Sequence, residues 1–163
     1  MTTLYFTKLK PNAKIPSKRD EDAGYDIYAC FEEESIMINP GEIKIIPTGF
    51  ASAFSSDYYL QVQERSSTGS RGMSARCGVI DSGYRGEHLV VLNNTGQKPI
   101  IIAKEPIRFN QDQFTVHDYN KAIAQYILLP VPKTEVKELS ISEFEALNLE
   151  SERGNGGFGD SGK

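Results

Sequence analysis

Asp81 closes an apolar pair and opens a glycine turn in the run Gly78-Val79-Ile80-Asp81-Ser82-Gly83-Tyr84-Arg85-Gly86. A carboxylate at a strand end is held well enough to orient a water and take its proton, the work of a general base. The same pattern also describes an ordinary turn aspartate, with Tyr84 packed as a core aromatic. Upstream, Arg65-Ser66-Ser67-Thr68-Gly69-Ser70-Arg71-Gly72 gathers hydroxyls, glycine N–H groups and two guanidiniums. That run suits either a solvated polar turn or a concavity for a polyphosphate. Asp22-Ala23-Gly24-Tyr25-Asp26 sets two carboxylates around a glycine. Mg2+ takes one or two carboxylates and completes its shell with water and substrate phosphates; the plain alternative is an acidic loop before a strand. From Arg153 to Lys163 the chain holds five glycines, Phe158 and two cations. Such a tail cannot bury enough apolar surface to fold alone, so mobility is expected. It reads either as a disordered terminus or as a nucleotide lid, in which glycine N–H groups and Arg153 grip phosphate and Phe158 stacks on a base.

Many short strands must position these groups. Strand character recurs at 3–9, 25–29, 35–38, 42–47, 50–54, 58–64, 88–93, 99–103, 114–117 and 123–131, with turn residues such as Asn39-Pro40-Gly41 and Asn94-Thr95-Gly96 between them. This spacing predicts an all-β antiparallel sandwich or barrel. Tyr58, Leu60 and Val62 alternate with Tyr59, Gln61 and Gln63, and Ile43 and Ile45 alternate with Glu42 and Lys44, as strands with one buried face do. Ser142-Glu143-Phe144-Glu145 fits a capping box and predicts a short helix before the tail.

Composition removes several function classes. The 163 residues carry a net charge of -4, against a general nucleic-acid binder, which needs a basic surface. No 18-residue apolar run is present, so no membrane span is expected. Met1–Leu9 lacks the order of a signal peptide. Cys30 and Cys77 are far apart with no CxxC cluster, which disfavours zinc and predicts two reduced, buried thiols in a cytoplasmic protein. His88 and His117 fit no catalytic triad and read as structural or solvated. Lys8, Lys10, Lys14, Lys18 and Arg19 read as a solvated loop.

The order and spacing of the chemical runs resemble the trimeric dUTPase family along nearly the whole chain. Asp22–Ala29 resembles its first motif, Arg65–Ser67 the core of the second, Gly78–Gly86 the third, Ile123-Ala124-Gln125 the fourth and Arg153–Gly162 the fifth. The resemblance implies a jelly-roll-like β-barrel at 1–152, a C-terminal arm at 153–163 and a homotrimer with three shared active sites, each closed by an arm from another subunit. The implied reaction is hydrolysis of dUTP to dUMP and diphosphate, which limits uracil in DNA and supplies dUMP for dTTP synthesis. Asp81 would activate the water that attacks the α-phosphorus. Tyr84 would pack beneath the deoxyribose and exclude a 2′-hydroxyl. Gly78, Val79 and Ile80, within the strand-turn-strand of 75–84, would read uracil through backbone groups. Ser66, Ser67 and Gln125 would hold phosphates, with Arg65 as a brace. Phe158 would cover the uracil; Arg153, Ser161 and Gly162 would hold the terminal phosphate, with Gly159 beside them. Asp26 would sit near Mg2+ through water.

The match departs from the family pattern at several places. Glu64 stands where the family has Pro. Asn120, Lys121 and Ala122 replace Gly-Asp-Arg, so an arginine brace is lost, with Lys121 as the nearest substitute. Asp160 puts a carboxylate in the arm. Roughly 104–120 reads as an insertion, either a surface excursion or a docking surface for a protein partner, since some bacteriophage members carry insertions in this region. A related fold-mate, dCTP deaminase, places a Glu where this chain has Val91, and no acid replaces it. A non-catalytic regulatory role is the remaining rival, and retention of Asp81, Tyr84, Arg153 and Phe158 argues against it.

Overall fold

A computed structural model describes residues 2–76, 78–147, 151 and 154. Two units are distinguished, one to Pro132 and one from Lys133, so the expected division at 152/153 falls inside the second. Cys77, Arg153 and 155–163 lie outside the described residues, and with them the expected contacts of Phe158, Gly159, Asp160, Ser161 and Gly162.

The first unit is built of strands β1 (Tyr5–Lys8), β2 (Gly24–Ile27), β3 (Ser35–Ile38), β4 (Ile43–Pro47), β5 (Phe50–Ala53), β6 (Tyr58–Gln63), β7 (Met73–Ala75), β8 (Val79–Ile80), β9 (Leu89–Asn94), β10 (Ile100–Ala103), β11 (Thr115–Asp118) and β12 (Ala124–Pro130). One helical turn, α1 (Ser66–Gly69), follows β6. The strands form sheets ordered β2-β12-β6-β8, β4-β9-β7, β11-β10-β3 and β1-β5. All pairings are antiparallel except β10 with β11. The all-β, jelly-roll-like expectation therefore holds. Phe50, Tyr126, Ile27, Leu60, Leu92 and Ile102 are fully buried at its centre.

Tyr126 packs edge-on to both Phe50 and His88. Leu60 and Val62 face the core as their alternation predicts. Ile43 and Ile45 do not: they are 58% and 60% exposed, while Ile46 on the same strand is buried. A period of two separates two faces but does not say which is inside, and here Ile46 takes the core position. Opposite Ile45 and Pro47 stand Val91 and Leu89 of β9, so β4 and β9 share an exposed apolar outer face.

His88 is buried without exposure, its ring between Ser52 Oγ (3.0 Å from Nε2) and the Tyr126 hydroxyl (2.8 Å from Nδ1). Desolvation pushes its pKa down to about 4. The native ring stays neutral where the unfolded one, with a pKa of about 6.5, takes up a proton. Stability is therefore lost as pH falls from about 6.5 towards 4. Between pH 7 and pH 5 the native protein should lose about 2 kcal/mol more than H88Q. Urea unfolding followed by circular dichroism at fixed protein concentration checks this; equal pH dependence of the two proteins would remove His88 as the cause. His117 is also buried, so both histidines are structural, as expected. Cys30 is a buried free thiol whose pKa burial pushes up.

In the second unit, α2 (Ile141–Ala146) has Ser140 as its cap, not Ser142. Ser140 Oγ accepts from the Glu143 amide and Glu143 bonds back to the Ser140 amide. Two overlapping Ser-x-x-Glu signals exist here, and the earlier one starts the helix two residues sooner.

Candidate active site

β2 and β12 pair so that Asp26 stands opposite Gln125, and β12 pairs with β6 so that Gln125 stands opposite Gln63. β6 then runs into Arg65. Three segments far apart in sequence thus end at one place. The Arg65 guanidinium lies 2.9 Å from the Asp26 carboxylate, both about one-third exposed. An ion pair this exposed adds little stability, so its consequence is orientation. Gln125 Nε2 donates to the Glu64 carbonyl at 3.0 Å, tying β12 to the residue before Arg65. Gly24 makes room for that glutamine: a Cβ there would come within 2.1 Å of Gln125 Oε1.

The polar run after Arg65 folds as α1 rather than as an irregular turn. Thr68 is buried and its hydroxyl donates to the Arg65 carbonyl at 2.9 Å, while accepting from the Arg65 amide at 3.2 Å. That inward fastening leaves Ser66 and Ser67 exposed with hydroxyls available to a ligand. The Glu64 side chain lies beside Gly69, where a Cβ would come 3.2 Å from Glu64 Oε2.

An open depression of about 380 Å³ is lined by Ser17, Lys18, Arg19, Asp22, Asp26 and Arg65. An adjoining one of about 390 Å³ adds Gln125. Lys18 and Arg19 are exposed, as the solvated-loop reading expects, yet they border the same depression as Asp26. The signal that could have shown this is their position just ahead of Asp22; the Asp26 amide bonds back to the Ser17 carbonyl at 2.8 Å and folds the loop over β2. Arg19 grips Asp22 through two bonds of 2.8 and 3.0 Å and holds its carboxyl below the usual range. Both carboxylates of the first run are thus met by guanidiniums. Three cations with the Ser17 hydroxyl and the Gln125 amide can hold a polyphosphate, while Ser66 and Ser67 follow Arg65 but line neither depression. Lys121 does not take part: it lines a different depression, with Arg71 and Lys98, so it does not replace the missing brace. Ala122, at the brace position, is buried.

The Asp81 segment stands elsewhere. β8 pairs with β6 through Leu60–Ile80 and Gln61–Val79, at the edge of the sheet opposite β2. Three strand spacings and about four residues of offset separate Asp81 from Asp26, on the order of 20 Å along the sheet. β8 is paired on one side only among the described residues, so its other edge offers backbone N–H and C=O groups to a ligand. Asp81 and Tyr84 are exposed beyond it, joined by a turn in which the Tyr84 amide donates to the Asp81 carbonyl at 3.1 Å. The Tyr84 hydroxyl donates to the Glu87 carbonyl at 3.1 Å, and its ring lies 6.0 Å from that of buried His88. Gly86 allows this seat, since a Cβ there would come within 2.4 Å of the Tyr84 hydroxyl. The candidate residues therefore fall into two groups in one chain: Arg65, Ser66, Ser67, Gln125 and Asp26 in one, and Gly78 to Tyr84 with Asp81 in the other.

Residues 11–111 match the dUTPase family model. The chain is 32% identical to the deoxyuridine 5'-triphosphate nucleotidohydrolase of Leptospira interrogans, covering 98% of each. It is 35% identical to that of Nautilia profundicola, over 98% of this chain and 99% of the relative. Its fold matches the Staphylococcus bacteriophage 80alpha dUTPase solved with dUPNHPP, with a TM-score of 0.74, 25% identity and 99% of both chains covered.

Proposed function

The chain belongs to the dUTPase family, and on that footing we propose how its two half-sites divide the hydrolysis of dUTP to dUMP and diphosphate. The triphosphate lies in the Asp26–Arg65 depression, held by Ser66, Ser67 and Gln125, with Arg65 fixed by Asp26. The nucleoside lies against the Gly78–Tyr84 segment. Free backbone groups on the outer edge of β8 suit the N–H and C=O edge of uracil, and the Tyr84 ring beneath the sugar leaves no space for a 2′-hydroxyl. Asp81 takes the proton of a water aligned on the α-phosphorus. Arg153, Phe158, Gly159, Ser161 and Gly162 close over the substrate.

The observation that carries this reading is the separation of the half-sites. Within one chain Arg65, Ser66 and Ser67 follow the end of β6, while the register of β8 puts Asp81 level with Tyr59 near its start, on the order of 20 Å away, so a complete site calls for a second copy. The exposed face of Ile43, Ile45 and Leu89 supports self-association, because apolar patches of this kind mark subunit contacts. A homotrimer with sites at its interfaces meets both needs.

Mg2+ suits the donor set in one manner. Asp22 and Asp26 border the depression but are each paired with an arginine, and no group of three or more His, Cys, Asp or Glu side chains gathers among the described residues. The site thus fits an ion brought in on phosphate oxygens, with Asp26 holding it through water, better than a resident ion. When bound, it neutralises phosphate charge and fixes the oxygens in place.

No described helix is long and apolar enough to cross a membrane. The buried, unpaired Cys30 supports a cytoplasmic setting. For the proposed docking of a protein partner on 104–120 we favour the part at 104–114, where Ile107 is 94% exposed, since β11 belongs to a sheet and His117 on it is buried. No acid lies at Val91 of β9, which stands opposite Ile45 of β4, so nothing at that position favours deamination.

The test is diphosphate release from dUTP, dTTP, dCTP and UTP, with and without Mg2+, by the intact chain and by a chain ending at Glu152. Turnover is expected on dUTP alone, with Mg2+ required and most activity lost with the arm. Equal cleavage of all four nucleotides would defeat the specificity assigned to β8 and Tyr84.

A further inference from the structure

We propose that the basic depression beside β11 is a second anion site, which binds an oligophosphate and is separate from the substrate site. It encloses about 510 Å³ and is lined by Arg71, Lys98, Gln111, Phe114, Thr115 and Lys121. That volume suits a small ligand. Three cations line it and no carboxylate does, in a chain whose acidic residues outnumber its basic ones. None of the three makes an ion pair among the described residues. Unneutralised like charges around a concavity concentrate anions there.

Arg71 is held in place by uncharged acceptors. Its Nε donates to the Ser67 carbonyl at 2.9 Å, and Nη1 to the Val116 carbonyl at 3.2 Å. Nη2 lies 3.1 Å from Nδ1 of buried His117, whose pKa desolvation lowers, so a neutral ring accepts. The guanidinium is therefore oriented without losing its charge, the state in which arginine grips phosphate. Lys98 and Lys121 are exposed and reach the depression from the start of β10 and the start of β12. Thr115 and Gln111 add hydrogen-bonding groups. Half-buried Phe114, braced edge-on by Phe109 at 6.2 Å, adds an apolar wall against which a base can lie. None of these residues lines the Asp26–Arg65 depression. The Arg71–Ser67 bond is the physical link between the two, so an anion that draws on Arg71 is felt at α1.

The ligand chemistry is a chain of phosphates, from an inorganic or a nucleotide source. The full-length protein is first saturated with an imido analogue of dUTP and Mg2+, its binding confirmed by calorimetry. Inorganic tripolyphosphate and, separately, ATP are then titrated, with amide NMR shifts followed at Thr115 and Val116. One further anion per chain is expected. K98E/K121E should weaken it at least about tenfold, K98Q and K121Q less so, while the thermal midpoint and dUTP turnover stay near those of the native protein. Tighter binding of ATP than of tripolyphosphate assigns a nucleotide against Phe114; the reverse assigns an inorganic anion. No binding once the substrate site is filled, or equal binding by K98E/K121E, overturns the proposal without touching the hydrolase reading.

Discussion

D81N should turn over dUTP about 10²–10⁴-fold more slowly than the native chain while binding dUTP almost as well. Asparagine keeps the size of the side chain and an oxygen that can still position a water, but it cannot accept the water's proton. The loss corresponds to roughly 3–5 kcal/mol of barrier. Binding survives because the phosphates are held by the half-site around Arg65, roughly 20 Å away along the sheet of the same chain. Diphosphate release gives the rate, and calorimetry with the variant gives the affinity. Near-native turnover would remove Asp81 from its role as base. Loss of affinity in step with rate would make it a binding residue instead.

Two inactive variants should restore one another. D81N lacks the base and R65A/Q125A lacks the phosphate grip, so each alone is expected near background. If every site joins the Arg65 half of one copy to the Asp81 half of another, mixed assemblies regain intact sites. In random threefold assemblies of an equal mixture, about one site in four is complete, so activity should return to about a quarter of the native value. Coexpression, or joint refolding followed by diphosphate release, checks this. A mixture no more active than the sum of its parents would mean that each chain completes its own site.

Much of this was legible in the sequence, and the gaps have physical causes. Leu60, Val62 and the turn residues near Gly41 and Gly96 place strands because alternation and backbone freedom are local properties. β7 escaped notice because three residues, Met73–Ala75, are too few to show a period. α1 escaped because Ser-Ser-Thr-Gly has the composition of a turn; only burial of Thr68 makes it a helix. The candidate site residues were nameable from the order of the motifs, yet their partition into two groups was not, since sequence carries no distances. The Asp26–Arg65 pair and the place of Arg19 likewise depend on how β2, β12 and β6 lie side by side. Lys121 looked like a stand-in for a missing arginine because it is adjacent in sequence, but the turn into β12 points it to another depression.

The outward-facing isoleucines of β4 also bear on what happens before any substrate is met. A newly made chain carries Ile43 and Ile45 bare to water, so an orphan subunit is prone to clump or to be degraded. If copies assemble through that face, as proposed, the amount of active protein depends on how quickly they find each other. Placing a charge at either position should leave the strand intact and yet leave the cell with a short-lived, idle polypeptide.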